Sequence, residues 1–118
     1  MSIQTTNEMG KITIDDNVLA SIAGIAAMEC YGIVGMASKN ATEGFFELLK
    51  REQLTKGIKV ESNDGKVVVD MHIVLQFGVK ISVVAENIIS AVKYNIESLV
   101  GLEVEKVNIF VQGVRVQK

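Results

Sequence analysis

The chain holds a single cysteine, Cys30, and a single histidine, His72, among 118 residues. One thiol excludes an internal disulfide, and with no signal-peptide pattern at the start it points to a reducing, cytoplasmic compartment. One imidazole leaves Cys30 with only His72 as a conceivable base, and leaves a metal site short of ligands. No stretch reaches the roughly 20 apolar residues that a membrane-crossing helix needs. The longest nearly uncharged segments are about one helix long and are interrupted by glycine and polar residues. Charge of one sign is also lacking: 12 basic against 14 acidic residues leave a net charge of −2. Both signs are well mixed, so there is no electrostatic footprint for a phosphate backbone, and nucleic acid is not an expected partner. The glycines form neither a G-x-G-x-x-G nor a Walker pattern.

What is present is an apolar content of 48%, enough for one compact domain with a core. Its clearest signal is the run Val67 to Phe77. Val67, Val69, Met71, Ile73, Leu75 and Phe77 are apolar at every second position, whereas Val68, Asp70, His72, Val74 and Gln76 alternate with them. Period two with one apolar face predicts a strand covered on one side only. Helices then belong on the covered side, and the other side is left for water, a ligand or another protein.

Residues 1–9 show neither period and read as a flexible N-terminal tail, leaving 10–118 as a single domain. Gly10 to Ile14 alternates and runs into Asp15 and Asp16, acceptors suited to capping a helix. That helix is expected to turn a stripe of Val18, Leu19, Ile22, Ile25 and Ala26 to the core and to end near Tyr31-Gly32. Ala20, Ala23, Gly24 and Ala27 keep it thin. Ile33 to Ala37 reads as a short apolar crossing segment. Thr42 can cap a second, optional helix over 43–53 bearing Phe45, Phe46, Leu48 and Leu49. Ile58, Val60 and Ser62 alternate up to Asn63-Asp64-Gly65, which predicts a hairpin into the long strand. Ile81, Val84, Ala85, Ile88, Val92, Ile96 and Leu99 keep helical spacing up to Gly101, and Val107, Ile109 and Val111 alternate as a last strand. The fold class is therefore α/β (α+β). A small three- or four-stranded mixed sheet carries two main helices on one face, in the order βα(α)ββαβ. This resembles the split βαβ arrangement, or the αββαβ module of ring-forming secretion domains if the first strand is only an edge.

Candidate chemistry is sparse. Asp70 and His72 share one face of a strand and could orient one another, but no nucleophile or further ligand is placed beside them, so a solvated sheet face is the simpler reading. Cys30 reads as a core or half-buried thiol. Gly32-Ile33-Val34-Gly35 matches the GXXG of KH domains formally, yet its central residues are aliphatic and no cation follows before Lys39. An RRM-like face needs several stacking aromatics, and here Phe110 and His72 are the whole supply. Asp15, Asp16, Glu43, Glu47 and Glu52 are simplest as caps and first-turn charges.

Gly10-Lys11-Ile12-Thr13-Ile14, Val18, Ile22-Ala23, Ala26-Ala27 and Tyr31-Gly32-Ile33-Val34-Gly35-Met36 together resemble the opening signature of the alkaline-shock, YloU-like envelope stress response family (DUF322-type). The strand from Val67 to Leu75, the helix from Val83 to Val92 and Val104-Glu105-Lys106-Val107-Asn108-Ile109 resemble its second half. The resemblance implies a small cytoplasmic bacterial protein of cell-envelope homeostasis with no enzymatic activity and no catalytic residues. In some relatives, a separate anchor protein holds the molecule near the membrane.

The expected function is a non-enzymatic interaction module. A KH- or RRM-type nucleic-acid-binding domain is the alternative, and a small-molecule or acyl-chain binder the third. No cofactor and no metal are expected. The partner is expected to be a protein, membrane-anchored or a second copy, with no direct membrane insertion. Val68, Val74, Phe110 and Val114 are assigned to the interaction surface because they alternate outward on the sheet, unless the optional helix over 43–53 or the tail covers that face within the monomer.

Overall fold

The computed structural model describes residues 2–37, 56–63 and 65–116. The optional helix expected over 43–53 lies outside them. In chain order the elements are β1 (Ser2–Asn7), β2 (Gly10–Asp15), α1 (Asp16–Met28), β3 (Ile33–Met36), β4 (Ile58–Asn63), β5 (Lys66–Gln76), α2 (Ile81–Val100) and β6 (Glu103–Arg115).

The long alternating run is the centre of the main sheet. β6 lies parallel to β5 along one edge from Lys66↔Glu103 to Gln76↔Arg115. The other edge is divided: β4 pairs antiparallel with it from Ile58↔Met71 to Asn63↔Lys66, and β3 continues along the same edge from Met36↔Ile73 to Ile33↔Leu75. The Ala37 N–H extends that ladder by donating to the His72 carbonyl at 2.9 Å. Four strands thus make a mixed sheet only three strands wide. A parallel neighbour cannot be reached by a tight turn, so the chain crosses over through α2, whereas Gly65 (φ 80°) suffices between β4 and β5.

Both helices cover one face. α1 packs against β3, β4 and α2, and α2 packs against β6. On β5, Val67, Val69, Met71, Ile73 and Leu75 are fully buried beneath them, as the alternation requires. Ile88 is buried with Ile73 in the same cluster, and Ile22 and Ile109 pack against it half-buried. On α2, Val84, Ile88, Val92 and Ile96 form an i, i+4 row into this core. The row runs on to Val100 and Leu102, which pack against the cluster and leave Leu99 outside. Gly101, in the left-handed region at φ 81°, ends the helix by donating its N–H to the Glu97 carbonyl. The Glu97 carboxylate then accepts from the Val104 N–H at 3.0 Å, tying the start of β6 to the end of α2.

Several expectations are corrected. Residues 2–7 are not a free tail but strand β1, paired from Ser2↔Asp15 to Asn7↔Gly10 in a separate two-stranded sheet. Backbone groups make a ladder whatever the side-chain period, so an unpatterned segment pairs when a strand lies beside it. With that hairpin set apart, the order is α1, β3, β4, β5, α2 and β6, one strand more than the αββαβ module. α1 turns its small side inward: Ala20, Ala23, Gly24, Ala26 and Ala27 are buried with Leu19, whereas Val18 and Ile25 are exposed. Small residues let the helix axis approach the sheet and α2 closely, and this fixes the inward face despite the bulkier stripe opposite. Asp15 occupies the N-cap of α1 without a side-chain capping bond, and the helix ends at Met28, before Tyr31-Gly32. Ile33 to Met36 is a strand rather than a plain crossing. Phe77 leaves the alternation because β5 ends at Gln76, and its ring is exposed.

Ile73 stands at the middle of the buried face. Ile73→Ala should lower the unfolding free energy by roughly 2–5 kcal/mol, measured as a shift in the chemical-denaturation midpoint, and an unchanged midpoint would contradict the placement of this face.

Candidate functional site

The open face of the main sheet is a cross-strand ladder between β5 and β6. Asp70 lies opposite Asn108, whose side-chain amide donates to the Asp70 carboxylate at 2.8 Å. His72 lies opposite Phe110, and the two rings stack with centroids 4.9 Å apart and planes 16° from parallel. The Gln112 amide reaches back to Nδ1 of His72 at 3.0 Å. Asp70 and His72 are therefore each tied sideways to β6. On the β4 side, Lys59 and Glu61 form an exposed ion pair at 2.9 Å, which holds the Lys59 ammonium above its ordinary pKa through its hydrogen bond to Glu61. Lys106 lies in register with Val68.

The four residues assigned to this surface differ in exposure. Phe110 is 44% exposed and Val68 half-buried. Val74 holds its outward place in the alternation but is fully buried. Alternation assigns a face and says nothing of whether that face is covered at a given point. Val114 is 47% exposed, but its strand position shifts relative to the outward residues. The pairing slips between Ile73↔Val111 and Val74↔Gly113, so Val114 comes into register with the inward Leu75. An extra residue in one strand reverses the parity of everything after it, and sequence alternation alone does not reveal where this occurs.

The GXXG segment is no exposed clamp. Gly32 is a buried turn residue at φ 91°, and the rest of it is β3, with Gly35 paired to Val74. Cys30 is half-buried; its thiol lies 3.5 Å from the Ala26 carbonyl, and burial, then the neighbouring Glu29 carboxylate, push its pKa above the ordinary value. Among the described residues, no three His, Cys, Asp or Glu side chains gather as a metal site.

A second feature escapes sequence reasoning. At one end of the sheet, a groove of about 410 Å³ is walled by Tyr31, Gln76, Phe77, Gly78, Val79, Lys80, Val83, Val84 and Asn87. Three separate segments build it. The only local signal is a pair of aromatic-glycine turns, Tyr31-Gly32 and Phe77-Gly78, with φ of 91° and 96° at the glycines.

The sequence from residue 4 to residue 116 matches the profile of the alkaline shock protein 23 family, described as having a cell envelope-related function. The chain belongs to this family. It is 46% identical to the uncharacterized protein YloU of Bacillus subtilis (strain 168), over 98% of both chains. It is 42% identical to the uncharacterized protein Spy1614 of Streptococcus pyogenes serotype M6, over 98% of this chain and 97% of that one. A more distant relative, a stress response regulator gls24 homolog of Streptococcus pyogenes serotype M3, is 27% identical over 92% of this chain and 61% of its own length. No solved structure matches. None of these relatives' names states an enzymatic activity, and among the described residues no helix is long and apolar enough to cross a membrane.

Two outcomes follow from the site's geometry. Cys30 should be alkylated by iodoacetamide more slowly than free cysteine at pH 8, and the rate should climb through a midpoint above that of a free thiol, because the neutral thiol is the form favoured at this site. His72→Gln should keep the fold by circular dichroism and change stability by no more than about 1 kcal/mol, the scale of one aromatic stack. Its purified form should match the parent in bound metal, and a stoichiometric metal lost with His72 would reverse that reading.

Proposed function

We propose that the chain is a non-enzymatic, cytoplasmic interaction module serving cell-envelope homeostasis, and that it holds a protein partner against the open face of its main sheet. The observation that carries this reading is the Phe110–His72 stack: a half-exposed aromatic pair on a platform stiffened by the Asp70–Asn108 and His72–Gln112 bonds. Aromatic side chains held in one rotamer lose little entropy on binding and serve as interface anchors. The platform positions no nucleophile and acid/base pair around a common point, so it supports docking better than turnover.

The partner is a protein, either a membrane-anchored one or a second copy of this chain. Phosphate recognition is disfavoured because Lys59 is already paired with Glu61 and the whole chain is net acidic. No insertion into a bilayer is part of this reading.

Phe110→Asp should stay folded by circular dichroism while losing self-association in sedimentation, or partner recovery in a pull-down from the native bacterium. The loss should be about 2 kcal/mol or more, as for an interface anchor. A folded variant with unchanged mass and unchanged recovery would overturn the proposal. Binding to RNA or DNA with a steep salt dependence would replace it with the nucleic-acid reading.

A further inference from the structure

The groove at the Tyr31 and Phe77 end lies apart from the Phe110 platform. Its walls are braced by backbone bonds: the Gln76 N–H donates to the Gly32 carbonyl at 2.8 Å, and the Phe77 N–H donates to the Arg115 carbonyl at 2.8 Å. Its floor is close-packed. A Cβ on Gly32 would stand 3.0 Å from Cγ2 of Val84 and 3.3 Å from Cγ1 of Val79. The groove is thus shaped before any ligand arrives, which lowers the entropy cost of binding. Yet it leaves Tyr31 80% and Phe77 67% exposed, with Val83 and the adjacent Ile81 about half exposed. Exposed apolar groups gathered at one place, rather than scattered, mark a contact surface.

Charge selects the occupant. Lys80 is the one charged side chain among the residues lining the groove, and no carboxylate lines it, although acidic residues outnumber basic ones in the chain. An apolar segment carrying acid groups is complementary to such a site, and a basic one is not. A bilayer fits less well, because anionic lipid surfaces are held by clusters of about 4–8 cations and a concave groove fits a side chain better than a flat sheet of headgroups.

We propose that this groove docks an acidic, apolar segment of a partner protein, which inserts one aromatic or branched aliphatic side chain between Tyr31 and Phe77 and places a carboxylate near Lys80. The site is independent of the sheet platform, so each can fail without the other.

Selection of phage-displayed random heptapeptides on the intact protein tests it. Enriched peptides should combine a large apolar residue with Asp or Glu. In a ¹⁵N-labelled sample, a selected peptide should shift the amides of Gly32 and of Phe77 to Val84. Phe77→Ser should weaken it by about tenfold or more, as expected for an anchor contact. Lys80→Glu should weaken acidic peptides while leaving the fold unchanged by circular dichroism, and Phe110→Asp should bind as the parent does. Enrichment of basic peptides, amide shifts elsewhere, full binding by Phe77→Ser or Lys80→Glu, or no enrichment at all would overturn the proposal.

Discussion

Both edges of β5 are consumed by hydrogen bonding, and the rest of the molecule is arranged around that fact. β6 takes one edge over the whole strand, and β4 and β3 share the other end to end. A strand bonded on both sides cannot slip register without breaking two ladders at once. Its odd-numbered side chains are therefore committed to the helices, and its even-numbered ones to the opposite face. The parallel partner demands a crossover, and the crossover is α2, which supplies the Val84, Ile88, Val92 and Ile96 row that roofs the same odd-numbered side chains.

That commitment separates the work of the two faces. Beneath the helices the odd-numbered face of β5 is apolar and fully buried, and among the described residues no buried polar or charged side chain intrudes. On the other face, polar side chains bond along the sheet instead of outward, Asp70 to Asn108 and His72 to Gln112, and they hold the Phe110 ring in place. The ends of the sheet follow neither rule. Where β5 stops at Gln76 and the chain turns into α2, aromatic side chains are released from the alternation and stand around a groove.

The legible parts of the sequence are those in which one strong period runs unbroken over many residues. Val67 to Leu75 and the i, i+4 row of α2 were readable because each buried position repeats the same geometric demand. The glycines at 65 and 101 were readable because both positions need positive φ. Legibility failed where a neighbour decides the outcome. β1 has no pattern of its own and exists through pairing with β2. On α1, Leu19, Ile22 and Ala26 of the expected stripe face the core together with the neighbouring alanines, whereas Val18 and Ile25 are left exposed. Val114 changed register through a slip that involves its partner strand as much as its own.

The sequence by itself determined the family, the α/β class and the apolar alternation of the central strand, since these depend on composition and on periods local to one element. Only the tertiary structure decided that Val74 is buried, that Val114 comes into register with Leu75, that Phe110 stacks on His72 from a separate strand, and that Tyr31 and Phe77 meet around one groove. Those are contacts between segments distant in the chain, and they are set by register and by how closely elements pack. Neither quantity is written in the period of any single segment.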